Sequence, residues 1–264
     1  MSIMEDIILA LQPITGGYCQ VRHKRGWLNY LENGRLYFGI NQLLNITYKT
    51  VRNNPPKGEK LFKLERHYQF TVKGDGTAYR PEEALERFII LSNPEYYNQI
   101  PIGGRKESID LGFENSDSSF VFVELKPWSI NNSPVYAIIE SLKNLIEYRA
   151  ILETNQEIKR YDHIDLFILA PLSYYKNYGL IDLHNNHVNS TTQTLKHFIS
   201  ALSSAVDTSI SFMTILIDRS EFDSICIKHC NENAIKGQKI ISIENHQPIP
   251  ILQRENWKII VTSN

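Results

Sequence analysis

Between residues 81 and 218 apolar residues recur at helical spacing, at the two-residue spacing of strands, and in short unbroken runs. The stretch "PEEALERFIILS" (81–92) opens on proline and two acids, as a helix start does, and sets Leu85, Phe88 and Ile89 on one face. "SIDLGF" (108–113) and "SFVFVELK" (119–126) read as strands. "SPVYAIIESLKNLIEYRAILE" (133–153) predicts a long helix with Ser133 as N-cap and Pro134 as its first residue. "HIDLFILAP" (163–171) and "ISFMTILID" (210–218) have the continuous apolar character of buried parallel strands, with a helix between them at 191–205. One more strand fits at 97–102. The order α-β-β-α-β-α-β predicts an α/β fold in which helices flank a mixed central sheet.

Outside this segment the pattern is weaker. Asn33-Gly34 between apolar segments in "WLNYLENGRLYFGI" (27–40) predicts a two-residue hairpin. Residues 53–60 read as a loop, residues 60–72 as a strand, and "KGDG" (73–76) as its end. These breaks divide the chain into a smaller mixed region, 1–78, and an α/β domain, 79–264. Near the end, "KIISI" (239–243) and "WKIIV" (257–261) predict strands.

Residues 40–54, "INQLLNITYKTVRNN", fit two patterns. One is a helix-turn-helix with Asn45 at the turn and Thr47, Tyr48, Lys49, Thr50 and Arg52 facing DNA. The other is a single amphipathic helix followed by a polar connector, which Pro55-Pro56 and the bulky Asn41 favour.

Charge adds a contrast between the ends. Residues 1–80 carry 12 Lys and Arg against 6 Asp and Glu, and the remaining residues carry 16 against 23, within a net charge of −1. Hydrophobic residues at 42% and charged residues at 22% predict a globular chain rather than a disordered one. No apolar run approaches the ~20 residues of a membrane span. The first residues are acidic where a signal peptide is basic, so a cytoplasmic protein is expected. Three cysteines do not make a disulfide framework.

The chemistry concentrates in the paired strands. If 108–114 and 120–126 form a hairpin closed by a loop at 115–119, positions summing to 234 face each other. Ile109, Leu111, Phe113, Val121, Val123 and Leu125 then share one apolar face. Asp110 lies opposite Glu124, with Cβ atoms about 4.5–5.5 Å apart, a destabilising pair of like charges. Lys126, on the same face, neutralises one of them. A hard divalent ion such as Mg²⁺, which takes oxygen ligands, would account for the other. On the helix at 81–92, Glu82 falls within the buried face, Glu86 at its edge, and Glu83 away from it. Glu82 is therefore the first candidate to join the site and Glu86 the second. A surface charge cluster on a half-exposed hairpin is the simpler alternative.

With its acid-bearing helix and the D-x13-E-x-K spacing, the segment from 81 to 218 resembles the PD-(D/E)XK nuclease superfamily, the restriction-endonuclease-like fold. The resemblance implies that Asp110, Glu124 and the Leu125 carbonyl hold Mg²⁺, for which Mn²⁺ substitutes, and that Glu82 in "E-x-x-L-x-x-F" completes the acidic set. It implies that Lys126 positions or activates the attacking water. It also matches Asn144 and Tyr148 in "NLIEY" to a Gln-x-x-x-Tyr motif on the following helix. "SID" stands where the superfamily name has "PD", and Asn144 where it has glutamine; neither change removes a metal ligand. Arg105 and Lys106, just before the first strand, would touch flanking phosphates, or are simply solvated loop charges. The implied activity is metal-dependent phosphodiester hydrolysis on DNA, in restriction, repair, recombination or antiphage defence, with a homodimer as the form that cuts both strands. A silent nucleic-acid-binding protein and a helix-turn-helix transcription regulator are the alternatives. "CIKHC" (226–230) lacks a second ligand pair for zinc, and neither a P-loop nor a G-x-S-x-G elbow occurs.

Overall fold

The computed structural model describes residues 36–54, 61–102, 108–128, 132–181, 190–231 and 239–263. In chain order, helix α1 (Leu36–Asn53), strand β1 (Gln69–Val72), helix α2 (Pro81–Ser92) and strands β2 (Tyr96–Pro101), β3 (Ser108–Ser116) and β4 (Ser119–Leu125) come first. Helix α3 (Pro134–Thr154), β5 (His163–Pro171), the short α4 (Leu172–Asn177), α5 (Ser190–Val206) and β6 (Ile210–Ile215) follow. Helix α6 (Arg219–Asn231), β7 (Lys239–Ser242) and β8 (Lys258–Thr262) close the series.

Six strands form one mixed sheet in the order β2-β3-β4-β5-β6-β8. The β4-β5-β6 centre is parallel, and both flanks are antiparallel. β1 and β7 make a separate antiparallel pair. The protein is thus α/β, a mixed sheet with helices on both faces. Helices α1, α3, α4 and α5 cover one face, where Leu43, Leu142, Leu145, Tyr174 and Phe198 pack on Phe120, Phe122 and Ile168. Helices α2 and α6 and the small sheet cover the other, where Leu85, Phe88, Phe222 and Phe70 pack on Leu111, Phe113, Val121 and Val123. Ile40 and Val51 lie in the first core and Phe70 and Val72 in the second, so the chain before residue 78 contributes to both cores. None of the helices among the described residues is long and apolar enough to cross a membrane.

The β3–β4 register is Leu111 with Val123, Gly112 with Phe122 and Phe113 with Val121, each summing to 234 as predicted. The hairpin is longer than predicted: the strands run to Ser116 and from Ser119, with a register irregularity at Glu114–Ser116, so the turn is shorter than 115–119. Gly112 is required across the sheet, because a Cβ there would fall 2.5 Å from Phe120 Cε1. Ile109 departs from the predicted face. It joins the first core with Ile100, whereas Leu111 and Phe113 lie in the second with Tyr96. The crossover occurs where Asp110 and Gln99 stand level, and Gln99 has φ 51°, a left-handed conformation uncommon for glutamine.

The helix-turn-helix is not formed. Residues 36–53 make one continuous helix, Asn45 is an exposed helical residue, and Thr47 is buried with its hydroxyl donating to the Leu43 carbonyl at 2.8 Å. The helical spacing of Ile40, Leu43, Leu44 and Val51, all buried, outweighs any turn tendency of Asn45. Residues 36–40, predicted as the second arm of a hairpin, are helical for the same reason; Asn33-Gly34 lies outside the described residues. The strand predicted at 60–72 is confined to Gln69–Val72.

Candidate active site

Asp110, Glu124 and Lys126 come together at one end of the β3–β4 hairpin. Asp110 Oδ2 accepts the Leu125 backbone N–H at 2.8 Å. Lys126 extends the β4 ladder by donating its backbone N–H to Leu169 O at 2.9 Å, and Pro127, with no N–H, ends it. The Lys126 side chain turns inward. Its Nζ donates to Glu124 Oε1 at 2.6 Å and to Glu140 Oε2 at 2.7 Å. Lys126 and Glu124 are buried, while Glu140, on α3, is partly exposed. Helix α3 is placed by its cap, in which Ser133 Oγ accepts the Tyr136 N–H at 3.1 Å.

Helix α2 brings further acids from the opposite face. Its stripe of Leu85, Phe88 and Ile89 packs into the second core and carries Glu82 and Glu86 toward Asp110. Glu86 is buried and accepts from Arg87 Nη1 at 2.7 Å, and Arg87 Nε donates to the Gln69 carbonyl at 2.9 Å. Glu83, on the outer side, meets Arg87 at 3.6 Å.

Carboxylates outnumber cations here: Asp110, Glu82, Glu86, Glu124 and Glu140 share Lys126 and Arg87. Burial, then the charges of Glu86 and Glu82, pushes Asp110 well above the usual carboxylate range. Burial, then Asp110 and Glu140, does the same to Glu124. Burial also raises Glu82, and raises Glu86 to about 8. Burial alone would lower Lys126, but Glu124, Glu140, Glu82 and Asp110 together hold it well above its ordinary value. Glu140 alone among the five acids is lowered, because Lys126 and hydrogen bonds from Lys126 and Glu124 outweigh its burial.

A cleft of about 560 Å³ opens beside this cluster. Glu82 and Glu86 form part of its wall, with Gln99, Tyr79, Trp128 and Arg219 around them. Asp110, Glu124 and Lys126 adjoin the cleft through Glu82 and Glu86 rather than lining it. In donor type and charge the cluster suits a hard divalent ion: every candidate ligand is an oxygen, and the acids are in excess. Yet among the described residues no three acidic, imidazole or thiol groups already stand in a metal-holding arrangement, and the Lys126 ammonium fills the gap between Glu124 and Glu140.

The structure thus gathers Asp110, Glu124, Lys126, Glu82 and Glu86. Asn144 follows Glu140 by one turn on the same face, fully buried, with no hydrogen-bond partner for its Oδ1 among the described residues. Tyr148 is placed elsewhere. It is buried against Phe62 and Phe122, its hydroxyl donating to Lys159 O at 2.9 Å and accepting the Tyr161 N–H at 3.1 Å. That environment suits a core tyrosine rather than a ligand contact. Lys49 and Arg52 are exposed on α1, away from this cluster on a helix that packs against α3 and α5. Arg105 and Lys106 lie outside the described residues. Sequence reasoning missed Glu140, whose signal was an acid inside the otherwise apolar "VYAIIE". It also missed Gln99, Tyr79 and Arg219, for which no pattern in the sequence speaks.

Compared with known proteins, the chain matches no family model, no curated protein and no solved structure.

Proposed function

We propose that this chain is a Mg²⁺-dependent nuclease that hydrolyses phosphodiester bonds in DNA through a PD-(D/E)XK-type site. The observation that carries the proposal is the meeting of Asp110 and Glu124, from adjacent strands, with a buried Lys126 and an excess of carboxylates beside an open cleft. Asp110, Glu124, the Leu125 carbonyl and Glu82 are the residues that would hold Mg²⁺, with Mn²⁺ as a substitute. When bound, the ion would polarise a phosphate oxygen and lower the pKa of water at the site.

The protein's own groups do the rest. Lys126 keeps its proton, so its work is to donate: it stabilises charge developing on the phosphate and orients what approaches it. Glu140 holds the lysine in place. Asp110 is fixed by the Leu125 N–H, which sets the spacing between the two strands' acids. Glu86 near 8 is suited to take or release a proton close to neutral pH.

A second reading is a silent nucleic-acid-binding protein on the same scaffold, favoured by the position of Lys126 between two glutamates. Plasmid and single-stranded DNA incubated with Mg²⁺, Mn²⁺ or EDTA separates the two. Cleavage with either metal and none in EDTA is expected, and Asp110→Asn should lower it by about 10²–10³-fold. Mobility shift without cutting under any metal would leave the silent binder.

A further inference from the structure

We propose that the cleft takes an unpaired nucleotide, so that the substrate is single-stranded nucleic acid or a frayed end, with a base stacked on Tyr79 and its phosphate held by Arg219 and Arg80. This deepens the nuclease reading and rests on it for the identity of the reacting bond. Tyr79, Arg80, Trp128 and Arg219 line the part of the cleft wall that the acids do not form.

Tyr79 is a large aromatic residue left 53% exposed, and its ring pairs with no other aromatic ring among the described residues. Its backbone is nonetheless fixed: the Tyr79 N–H donates to Thr71 O at 2.9 Å, and the preceding Ala78 is fully buried and bridges to Val72. A rigid backbone presenting an open ring is a stacking platform that loses little entropy on binding.

Trp128, which also lines the cleft, is anchored by its tilted ring contact with Phe222, with centroids 4.9 Å apart, and by Nε1 reaching the Ile217 carbonyl at 3.4 Å. The Arg219 guanidinium lies 5.5 Å from the Trp128 ring centroid and donates through Nε to Asp223 at 2.8 Å. Its two terminal amino groups make no hydrogen bond among the described residues, which leaves the edge that grips phosphate. Arg80, exposed next to Tyr79, adds a second cation on the cleft.

A stacking ring with flanking arginines recognises a base face and a backbone, which every nucleotide of a single strand offers and no internal nucleotide of a duplex does. In a duplex the base faces are occupied by their neighbours, and exposing one costs a few kcal/mol. The cleft volume lies within the usual range for a small-ligand pocket, which suits one nucleotide beside the acids.

The test is fluorescence anisotropy of a labelled single-stranded DNA 12-mer and of a blunt duplex of the same sequence, with Ca²⁺ replacing Mg²⁺. The proteins are wild type, Tyr79→Ala, Tyr79→Phe and Arg219→Ala, each checked for an unchanged melting temperature. The single strand should bind about tenfold or more tightly than the duplex. Tyr79→Ala should weaken single-strand binding by about 5- to 100-fold, Tyr79→Phe should restore it, and duplex binding should not change. An RNA 12-mer in the same assay assigns the sugar. Equal binding of duplex and single strand, or a neutral Tyr79→Ala, overturns the proposal. Cleavage with Mg²⁺ is scored separately. A protein that binds single strands through Tyr79 but cuts nothing refutes the nuclease reading alone. One that cuts duplex with Tyr79→Ala at full activity refutes the single-strand reading alone.

Discussion

A lysine meets acid at each end of the β3–β4 hairpin, and the two ends behave in opposite ways. Near the turn, Glu114 accepts from Lys159 at 2.5 Å and from the Tyr161 hydroxyl at 2.7 Å, with both charged side chains well exposed. Those hydrogen bonds hold Glu114 below the usual carboxylate range. At the other end Lys126 is buried between Glu124 and Glu140, and Asp110 and Glu124 are driven well above that range. The first is an ordinary solvated pair, worth little. The second gathers more acid than it can neutralise away from water. Such a cluster costs stability, and its presence next to a cleft is what points to a function rather than to structure.

The largest effect should come from removing the buried cation. Lys126→Ala leaves Glu124 and Glu140 facing each other without compensation and should cost about 3–5 kcal/mol at neutral pH by urea denaturation. Lys159→Ala at the other end should cost under about 1 kcal/mol in the same assay. Similar losses at both ends would erase the distinction between them.

The pH dependence comes next. Glu86 sits near 8 in the folded protein against about 4.5 when unfolded, so the unfolded state releases its proton first. Its contribution to stability is full below about pH 4.5 and is lost as pH rises through 8; the raised Asp110, Glu124 and Glu82 act in the same direction. Glu114 acts in reverse, its contribution being lost as pH falls through its lowered value. The metal-free protein should therefore melt at a lower temperature at pH 8.5 than at pH 6. Added Mg²⁺ should raise the melting temperature more at pH 8.5, where less proton competes for the acids, than at pH 6. A Mg²⁺ effect independent of pH would mean that the ion binds elsewhere.

The smallest effect on stability, and the most diagnostic, concerns Asp110 itself. Asp110→Asn keeps an oxygen for the Leu125 N–H while removing one of the crowded charges, so it should melt at the same temperature as wild type or a few degrees higher at pH 8.

Much of this contrast could be read from the sequence. Alternation predicted the register of Leu111 with Val123 that leads to Asp110 beside Glu124, and the helical stripe of α2 placed Glu82 and Glu86 on the side of the site. What escaped was long-range or conformational. Glu140 lies 14 residues beyond Lys126 on a helix whose neighbouring positions are nearly all buried, so one acid in it gives no periodic signal. Ile109 lies in the other core beside the left-handed Gln99, and no composition rule foretells a glutamine in that conformation. Helix α6, which supplies Arg219, was not predicted because its sequence, "RSEFDSICIKHCN", has a weak apolar stripe; among its described side chains only Phe222 and Cys226, four residues apart, are fully buried. At α1 the favoured reading, a single amphipathic helix, is the one formed, with Leu43, Leu44 and Val51 buried along it.

The most direct test of the central claim is cleavage of labelled DNA in Mg²⁺ by wild type and Asp110→Asn, with the melting temperature of each recorded in parallel. Wild type should cut, and the variant should lose cutting while melting no lower. A variant that cuts at the wild-type rate would contradict the assignment of the acidic cluster as the catalytic site.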